Sequence, residues 1–239
     1  MEKQPNFLDE RLKAQELHTR IYLENGYINE SQLDNNGLFV DEYTDRSKYF
    51  YIKNEAKETA CRYISANEEE GLISLPTIKN FGIDYNKLAK VAHVDDFCDL
   101  DAHSVIEVSG LVSDIDRKGL NSETFDTTKQ IYTKLLRESL DKGYKLWVMN
   151  VDERLEKYFS LVLGRNSVVR LGEPREYIGD STIPVALNPQ DIVKNIMTSK
   201  GHLVNIVRAH LIDTMGGVKK DFIDDELIAI LSSNGIEMN

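Results

Sequence analysis

Val105-Ile106-Glu107-Val108-Ser109-Gly110-Leu111-Val112 is the stretch that decides how this chain folds. It is an apolar run of the length of one buried strand, and it carries a single carboxylate at its heart. A polar loop follows, and then apolar residues recur at helical spacing: Ile131, Tyr132, Leu135, Leu136 and Leu140. That spacing predicts a helix from about Thr128 to Lys142, capped at its start by Thr127 or Thr128 and closed by Lys142 and Gly143. A second apolar strand, Lys145 to Val151, leads into a further helix from Asp152 to Leu163, capped by Asp152 and Gly164. Val168–Leu171 and Tyr177–Ala186 read as closing strands. Two strands joined by a helix are expected to lie parallel, with a right-handed crossover between them. Such a pair can splay at its C-terminal ends and leave a gap. A buried carboxylate beside that gap, Glu107, is a candidate to handle a proton. Burial would raise its pKa toward a useful range.

Upstream, Phe7, Leu8, Leu12, Leu17, Ile21 and Tyr22 fall roughly at helical spacing, and Asn25-Gly26 ends that segment. Ser47–Lys53 and Thr59–Ile64 are aromatic and β-branched, with a short polar connector between them. They read as an antiparallel hairpin. Residues 66 to 104 are mostly connector, with a short segment starting at Leu75-Pro76-Thr77 and a helix from Tyr85 to Ala92. Beyond Pro189 the texture changes to short helices, broken at Gly216-Gly217. The expected organisation is therefore an α/β domain over residues 1–188 and a helical C-terminal extension over 189–239.

With 239 residues the chain can bury a sizeable core. Its formal net charge of -11 argues against nucleic acid or an anionic membrane as the main partner. No apolar run is long enough to span a bilayer, and the N-terminus lacks a secretory pattern. Cys61 and Cys98 are the two cysteines and form no CxxC, which fits a reducing cytoplasm. The cluster of Asp95, Asp96, Asp99 and Asp101 with His93 and His103 matches no metal-loop spacing, so no metal is expected. The loop Arg117-Lys118-Gly119 precedes the predicted start of the long helix at Thr128, where free N–H groups and the dipole would suit a phosphate. The ordinary alternative is a solvated basic loop.

The order of these elements resembles the GCN5-related N-acyltransferase (GNAT) fold over most of residues 10 to 190. Within it, the chain most resembles the acyl-homoserine-lactone synthases and long-chain N-acyl amino acid synthases. The run Leu17-His18-Thr19-Arg20-Ile21-Tyr22, followed by Val40-Asp41-Glu42-Tyr43-Thr44-Asp45, is similar to the family's N-terminal helix and acidic element. Arg62 precedes Leu75-Pro76-Thr77 as a family Arg precedes a Leu-Pro-Thr-like segment. Glu107-Val108-Ser109-Gly110 stands where the family has E-x-S-R. Leu171-Gly172-Glu173 and Ile183-Pro184 occupy places of similar short motifs. Three positions depart from the pattern. Gly110 and His18 stand where the family has Arg, and Thr44 stands for its second acidic residue unless Asp45 substitutes by a shift of one.

The resemblance implies a mixed twisted sheet flanked by helices, and transfer of an acyl group from acyl-CoA or acyl carrier protein to a small-molecule amine. Glu107 would take the amine proton. Arg62, Asp41 and Ser109 would hold the acceptor, although a plain salt bridge from Arg62 to Glu107 or Asp41 is equally compatible with the residues. The backbone N–H groups of Leu111 and Val112 would polarise the thioester carbonyl, and Arg117, Lys118 and Thr128 would hold the phosphates of the donor. A carrier protein, being acidic, would meet Arg117, Lys118, Lys129 and Lys134. A reading from another class is a non-catalytic relative that binds a thioester or small ligand as a sensor or scaffold, which Gly110 and His18 favour.

Overall fold

The computed structural model describes residues 7–55, 57–114, 122–163, 167–177 and 180–239. The chain is α/β, with a seven-stranded open sheet flanked by helices. Its strands are β1 (Ser47–Lys53), β2 (Glu58–Ser65), β3 (Val105–Ser113), β4 (Leu146–Val151), β5 (Val169–Arg170), β6 (Arg175–Tyr177) and β7 (Asp180–Leu187). They lie in the order β1-β2-β3-β4-β7-β5, with β6 paired to β7.

Two compact units divide the chain, and the division falls within β3. The first comprises residues 1–64 and 108–132. Its β1 and β2 form the expected antiparallel hairpin, registered from Ser47↔Ile64 to Lys53↔Glu58. Paired residues share a face, and residues two apart repeat it. Tyr49, Tyr51, Ala60 and Arg62 therefore leave one face together. Helix α1 (Phe7–Glu24) covers that face, with Ala14 and Leu17 packed among Tyr49, Ala60 and Val112. Gly26, at φ +71°, turns the chain just beyond α1, as the Asn-Gly signal anticipates.

The second unit comprises residues 65–107 and 133–239. Here β3 and β4 are neighbours and parallel, as the strand–helix–strand order predicts. Their register runs Val105↔Leu146, Ile106↔Trp147 and Glu107↔Val148. β4 is also paired antiparallel to β7, from Trp147↔Leu187 to Val151↔Ile183. Its apolar residues are buried throughout, which is why it reads as a continuous apolar run rather than an alternating one. Short helices α2 (Pro76–Asn80) and α3 (Tyr85–Val91) occupy the connector. Pro76 starts α2, where its missing N–H costs nothing, and the Asp84 side chain caps α3. α5 (Glu153–Val162) is capped by Asp152, whose Oδ1 accepts from Leu155 N at 2.7 Å. Gly164 lies outside the described residues. The tail forms α6 (Pro189–Thr198), α7 (His202–Met215) and α8 (Asp225–Ser233), and it belongs to this unit.

One boundary differs from the sequence reading. The long helix α4 runs Ser122–Lys142. Thr127 and Thr128 lie inside it and are buried, so neither caps its start. Thr127 Oγ1 instead meets Thr59 Oγ1 at 2.7 Å. The apolar stripe falls as expected, with Ile131, Leu135, Leu136 and Leu140 at 0–2% exposure. The far end of α4 packs on β4, where Trp147 Nε1 donates to Ser139 Oγ at 2.9 Å. Truncating Leu135 or Leu140 to Ala would cost about 2–5 kcal/mol through cavity formation.

Candidate functional site

In the first unit the candidate residues converge on Arg62. Its Nη1 and Nη2 donate to Asp41 Oδ1 and Oδ2 at 3.0 and 2.5 Å, a bidentate fork. Its Nε donates to Ser109 Oγ at 3.3 Å. Of the two salt bridges open to Arg62 on sequence grounds, the one to Asp41 forms. Asp41 is held from its own side as well. Its Oδ1 accepts from Tyr43 N at 3.1 Å and from Thr44 Oγ1 at 2.9 Å. Thr44 thus serves as a bracket for Asp41 rather than a second acid. Asp45 does not substitute, since its side chain is fully exposed.

The electrostatics follow from that enclosure. Burial alone would push the Asp41 carboxyl up, but the Arg62 guanidinium, Thr44 and the Tyr43 amide outweigh it and hold the group below the usual carboxylate range. Burial likewise works against the Arg62 charge, and Asp41 more than restores it. Cys61, beside Arg62 in sequence, is fully buried, and burial pushes its thiol up to about 12. It is no nucleophile.

The two Arg-to-other departures turn out to touch each other. Gly110 sits within β3 at φ +61°, a left-handed conformation open chiefly to glycine. Ser109 and Val112 both reach the α1 face although they are three residues apart, so the two-residue alternation of β3 is broken between them. The carbonyl of Gly110 accepts a short hydrogen bond from His18 Nε2 on α1. A Cβ at Gly110 would stand 2.9 Å from that nitrogen. The His18 ring lies 5.9 Å from each of Tyr22 and Tyr49. Desolvation by burial lowers its pKa to about 4, so the ring is neutral near pH 7. With Nε2 as donor, Nδ1 is left as the acceptor. Gln15, His18, Tyr22, Phe39, Tyr49 and Arg62 line a recess of about 10 Å³, room for the centre of roughly one water.

In the second unit Glu107 is 2% exposed. Its Oε2 accepts from the Thr77 amide, at the start of α2, at 2.7 Å. Three polar side chains in the same unit are buried with atoms that meet no hydrogen-bond partner: Thr77 Oγ1, the whole carboxamide of Asn150, and Thr182 Oγ1.

The remaining donor-site expectations divide. Leu111 and Val112 lie on β3 directly after Gly110, with Val112 in the α1 core. Arg117 and Lys118 lie outside the described residues. Thr128 is buried in the body of α4 and cannot offer the helix-start N–H that its proposed role required. Lys129 is paired to Asp126 at 2.9 Å, with its side chain largely buried. Among the described residues no group of three or more His, Cys, Asp or Glu could hold a metal ion, and no helix is long and apolar enough to cross a membrane. Sequence reasoning missed Thr77 and Asn150. Asn150 could have been found, because a lone carboxamide inside an otherwise apolar strand is a polar group whose burial needs a reason.

No protein-family model matches the chain, and no curated protein matches it. Solved structures do. A CoA-dependent acyl-homoserine lactone synthase, BjaI, solved with SAM and isopentyl-CoA, is 15% identical, with a TM-score of 0.51 over 94% of this chain and 90% of its own. FeeM, an N-acyl amino acid synthase from uncultured soil microbes, is 15% identical, with a TM-score of 0.52 over 78% of this chain and 95% of its own. The acyl-homoserine lactone synthase LasI is 14% identical, with a TM-score of 0.50 over 75% and 82%. The chain shares the fold of these synthases, the branch that its motifs resemble.

Proposed function

We propose that the chain is an N-acyltransferase that moves an acyl group from acyl-CoA, or from acyl carrier protein, to the amine of a small molecule such as an amino acid. One observation carries the reading. Glu107 is a buried carboxylate on β3, paired with Val148 of β4, in a fold shared with a CoA-dependent acyl-homoserine lactone synthase and an N-acyl amino acid synthase. In the reaction the amine nitrogen attacks the thioester carbonyl, a C–N bond forms, and the C–S bond breaks to release the thiol. Glu107 takes the proton that the nitrogen loses. The N–H groups of Leu111 and Val112 are the proposed donors to the carbonyl oxygen as it gains charge. Arg62 and Asp41, with Ser109, orient the acceptor. Arg62 N–H groups are spent on Asp41, Ser109 and the Tyr49 hydroxyl. The fork therefore fixes Asp41, whose carboxylate suits an ammonium. Arg117, Lys118 and Lys134 are proposed to meet the phosphates of the donor or the acidic surface of a carrier protein. The two free cysteines are in keeping with the cytoplasm.

One observation favours the second reading, a thioester-binding protein without turnover. His18 fills space beside Gly110, where the related synthases place an Arg that could orient substrate. Thiol release measured across a panel of amines, beside calorimetric binding of acyl-CoA and acyl carrier protein, separates the two. Release with any amine establishes the enzyme. Binding without release establishes the sensor. No binding of either thioester at millimolar concentration rejects both.

A further inference from the structure

The peptide that joins Gly110 to Leu111 is held by a helix side chain. In a strand the carbonyls lie close to the sheet plane and bond along it to the adjacent strand. The Gly110 carbonyl accepts instead from His18 Nε2 on α1. A carbonyl oxygen can only accept, so Nε2 carries the hydrogen. Since α1 covers a face of the sheet, the carbonyl is turned out of the plane toward that face. A trans peptide is planar, with its C=O and N–H pointing in opposite directions. The bond to His18 therefore turns the N–H of Leu111 away from α1. The same bond draws electron density toward the oxygen and strengthens that N–H as a donor, by on the order of 10–30%.

Three further observations bear on this peptide. The first is access. Val108 and Val112 are buried, while Ser109, Gly110 and Leu111 between them are only partly so. The strand is open at this peptide and closed on either side of it. The second is rigidity. His18 is buried, its ring centroid lies 5.9 Å from those of Tyr22 and Tyr49, and Ala14 and Leu17 anchor its helix in the core. A donor on such an element is preorganised. The ring is neutral near pH 7, because burial lowers its pKa to about 4, so it brings no charge to the peptide. The third is the glycine. Its left-handed φ turns the chain, and a Cβ there would stand 2.9 Å from His18 Nε2, so the missing side chain is what admits the imidazole.

We propose that His18 is a positioning residue for acyl transfer: by holding the Gly110 carbonyl it aims the N–H of Leu111 at the carbonyl oxygen of the thioester. The inference rests on the acyl-thioester reading above. It gives His18 and Gly110 a joint part in the reaction, where each taken alone reads as a lost Arg. As the amine nitrogen adds to the carbonyl carbon, the C=O pair moves onto oxygen and meets the Leu111 N–H. It returns as the C–S bond breaks and the thiolate leaves. No proton passes through His18, which touches no reacting atom. Its contribution is that the donor is aimed before the charge develops.

The test uses hexanoyl-CoA labelled with carbon-13 at its thioester carbonyl and reads the carbonyl stretch by infrared difference spectroscopy. The proteins compared are the wild type, His18→Phe, His18→Leu and His18→Gln. A hydrogen bond to a carbonyl lowers its stretching frequency. Phe and Leu fill the space without a donor, and having two such variants guards against one that does not fold. Gln returns an N–H where Nε2 stood. In the wild type the frequency is expected to fall on binding. Phe and Leu should abolish the fall and Gln should keep it. Thioester affinity by calorimetry should stay within about threefold throughout, whereas turnover should drop about tenfold to a hundredfold in Phe and Leu and recover in Gln. A wild-type frequency unmoved by binding overturns this inference and leaves the acyl-donor reading standing. So does a fall that persists in the folded variants without a donor. No binding of the thioester at millimolar concentration rejects the acyl-donor reading, and this inference with it.

Discussion

Arg62 and Asn150 are both polar side chains on largely apolar strands, and the fold treats them in opposite ways. Arg62 is bonded to Asp41 and Ser109, and Asp41 is held in turn by Tyr43 and Thr44. Each member of the group has a partner within the protein. Asn150 is buried with neither end of its carboxamide engaged. The first arrangement is preorganised: its charges are paid for internally, and removing one leaves another stranded. The second is an unfilled valence, costly to the fold and useful only to a partner. Glu107 stands between these cases, with Oε2 bonded to Thr77 and a proposed task in chemistry. The difference predicts that substitutions around Arg62 are felt as stability, and those around Glu107 as rate.

The largest effect expected is at Glu107. Glu107→Gln keeps the shape and an oxygen for the Thr77 amide but cannot take a proton. Turnover should fall about 10²–10⁴-fold while thioester affinity changes little. Comparable losses in both, read from thiol release and calorimetry, would place Glu107 with the structural residues. Next comes Arg62→Ala, which strands the Asp41 carboxylate in a mostly buried setting. A loss of about 3 kcal/mol in urea unfolding is expected. A loss under about 1 kcal/mol would show that the fork behaves as an exposed surface pair.

The third prediction concerns His18. Its pKa is about 4 in the fold, against 6.5 for the ordinary group. Between these values the unfolded chain binds the proton and the folded one does not, so stability must fall as pH falls. The contribution is present in full above the unfolded pKa and amounts to about 2.5 kcal/mol lost by pH 4.5. Asp41 is held low and stays ionised across this window. His18→Gln should flatten the difference in urea midpoint between pH 7 and 4.5. An unchanged difference would mean that the ring titrates freely. The smallest effect is at Gly110. Gly110→Ala should cost about 2 kcal/mol, part from positive φ and part from the His18 contact. In a His18→Ala background about 1 kcal/mol should persist. Additivity of the two changes would deny the contact.

Much of the fold was legible because its signals are local. The alternation and aromatics of Ser47–Lys53, the apolar run around Glu107 and the stripe of α4 all describe their own surroundings. The start of α4 was misread for the same reason. Thr127 and Thr128 carry the chemistry of caps, but the hydroxyl of Thr127 is used across the fold, on Thr59. β6 was absorbed into β7 because a short hairpin partner has little pattern of its own. The site was legible as a set of residues and not as a set of contacts. Thr77 lies 30 residues from Glu107, in a connector, and His18 lies 92 residues from Gly110. No period or motif joins positions on different elements. A salt bridge from Arg62 to Glu107 or to Asp41 was legible because these are charges in settings where an unpaired charge is expensive, but which of the two forms was not.

The contact between His18 and Gly110 also constrains how this sequence can change with time. A Cβ at position 110 would stand 2.9 Å from the His18 imidazole nitrogen. A side chain at 110 therefore needs the His18 ring to shift or position 18 to become smaller. The smaller residue gives up the bond to the Gly110 carbonyl before any benefit at 110 is gained. A change at 18 first loses a bond, and a change at 110 first meets a crowded ring. The two positions thus behave as one unit, and substitution at either is felt at the other.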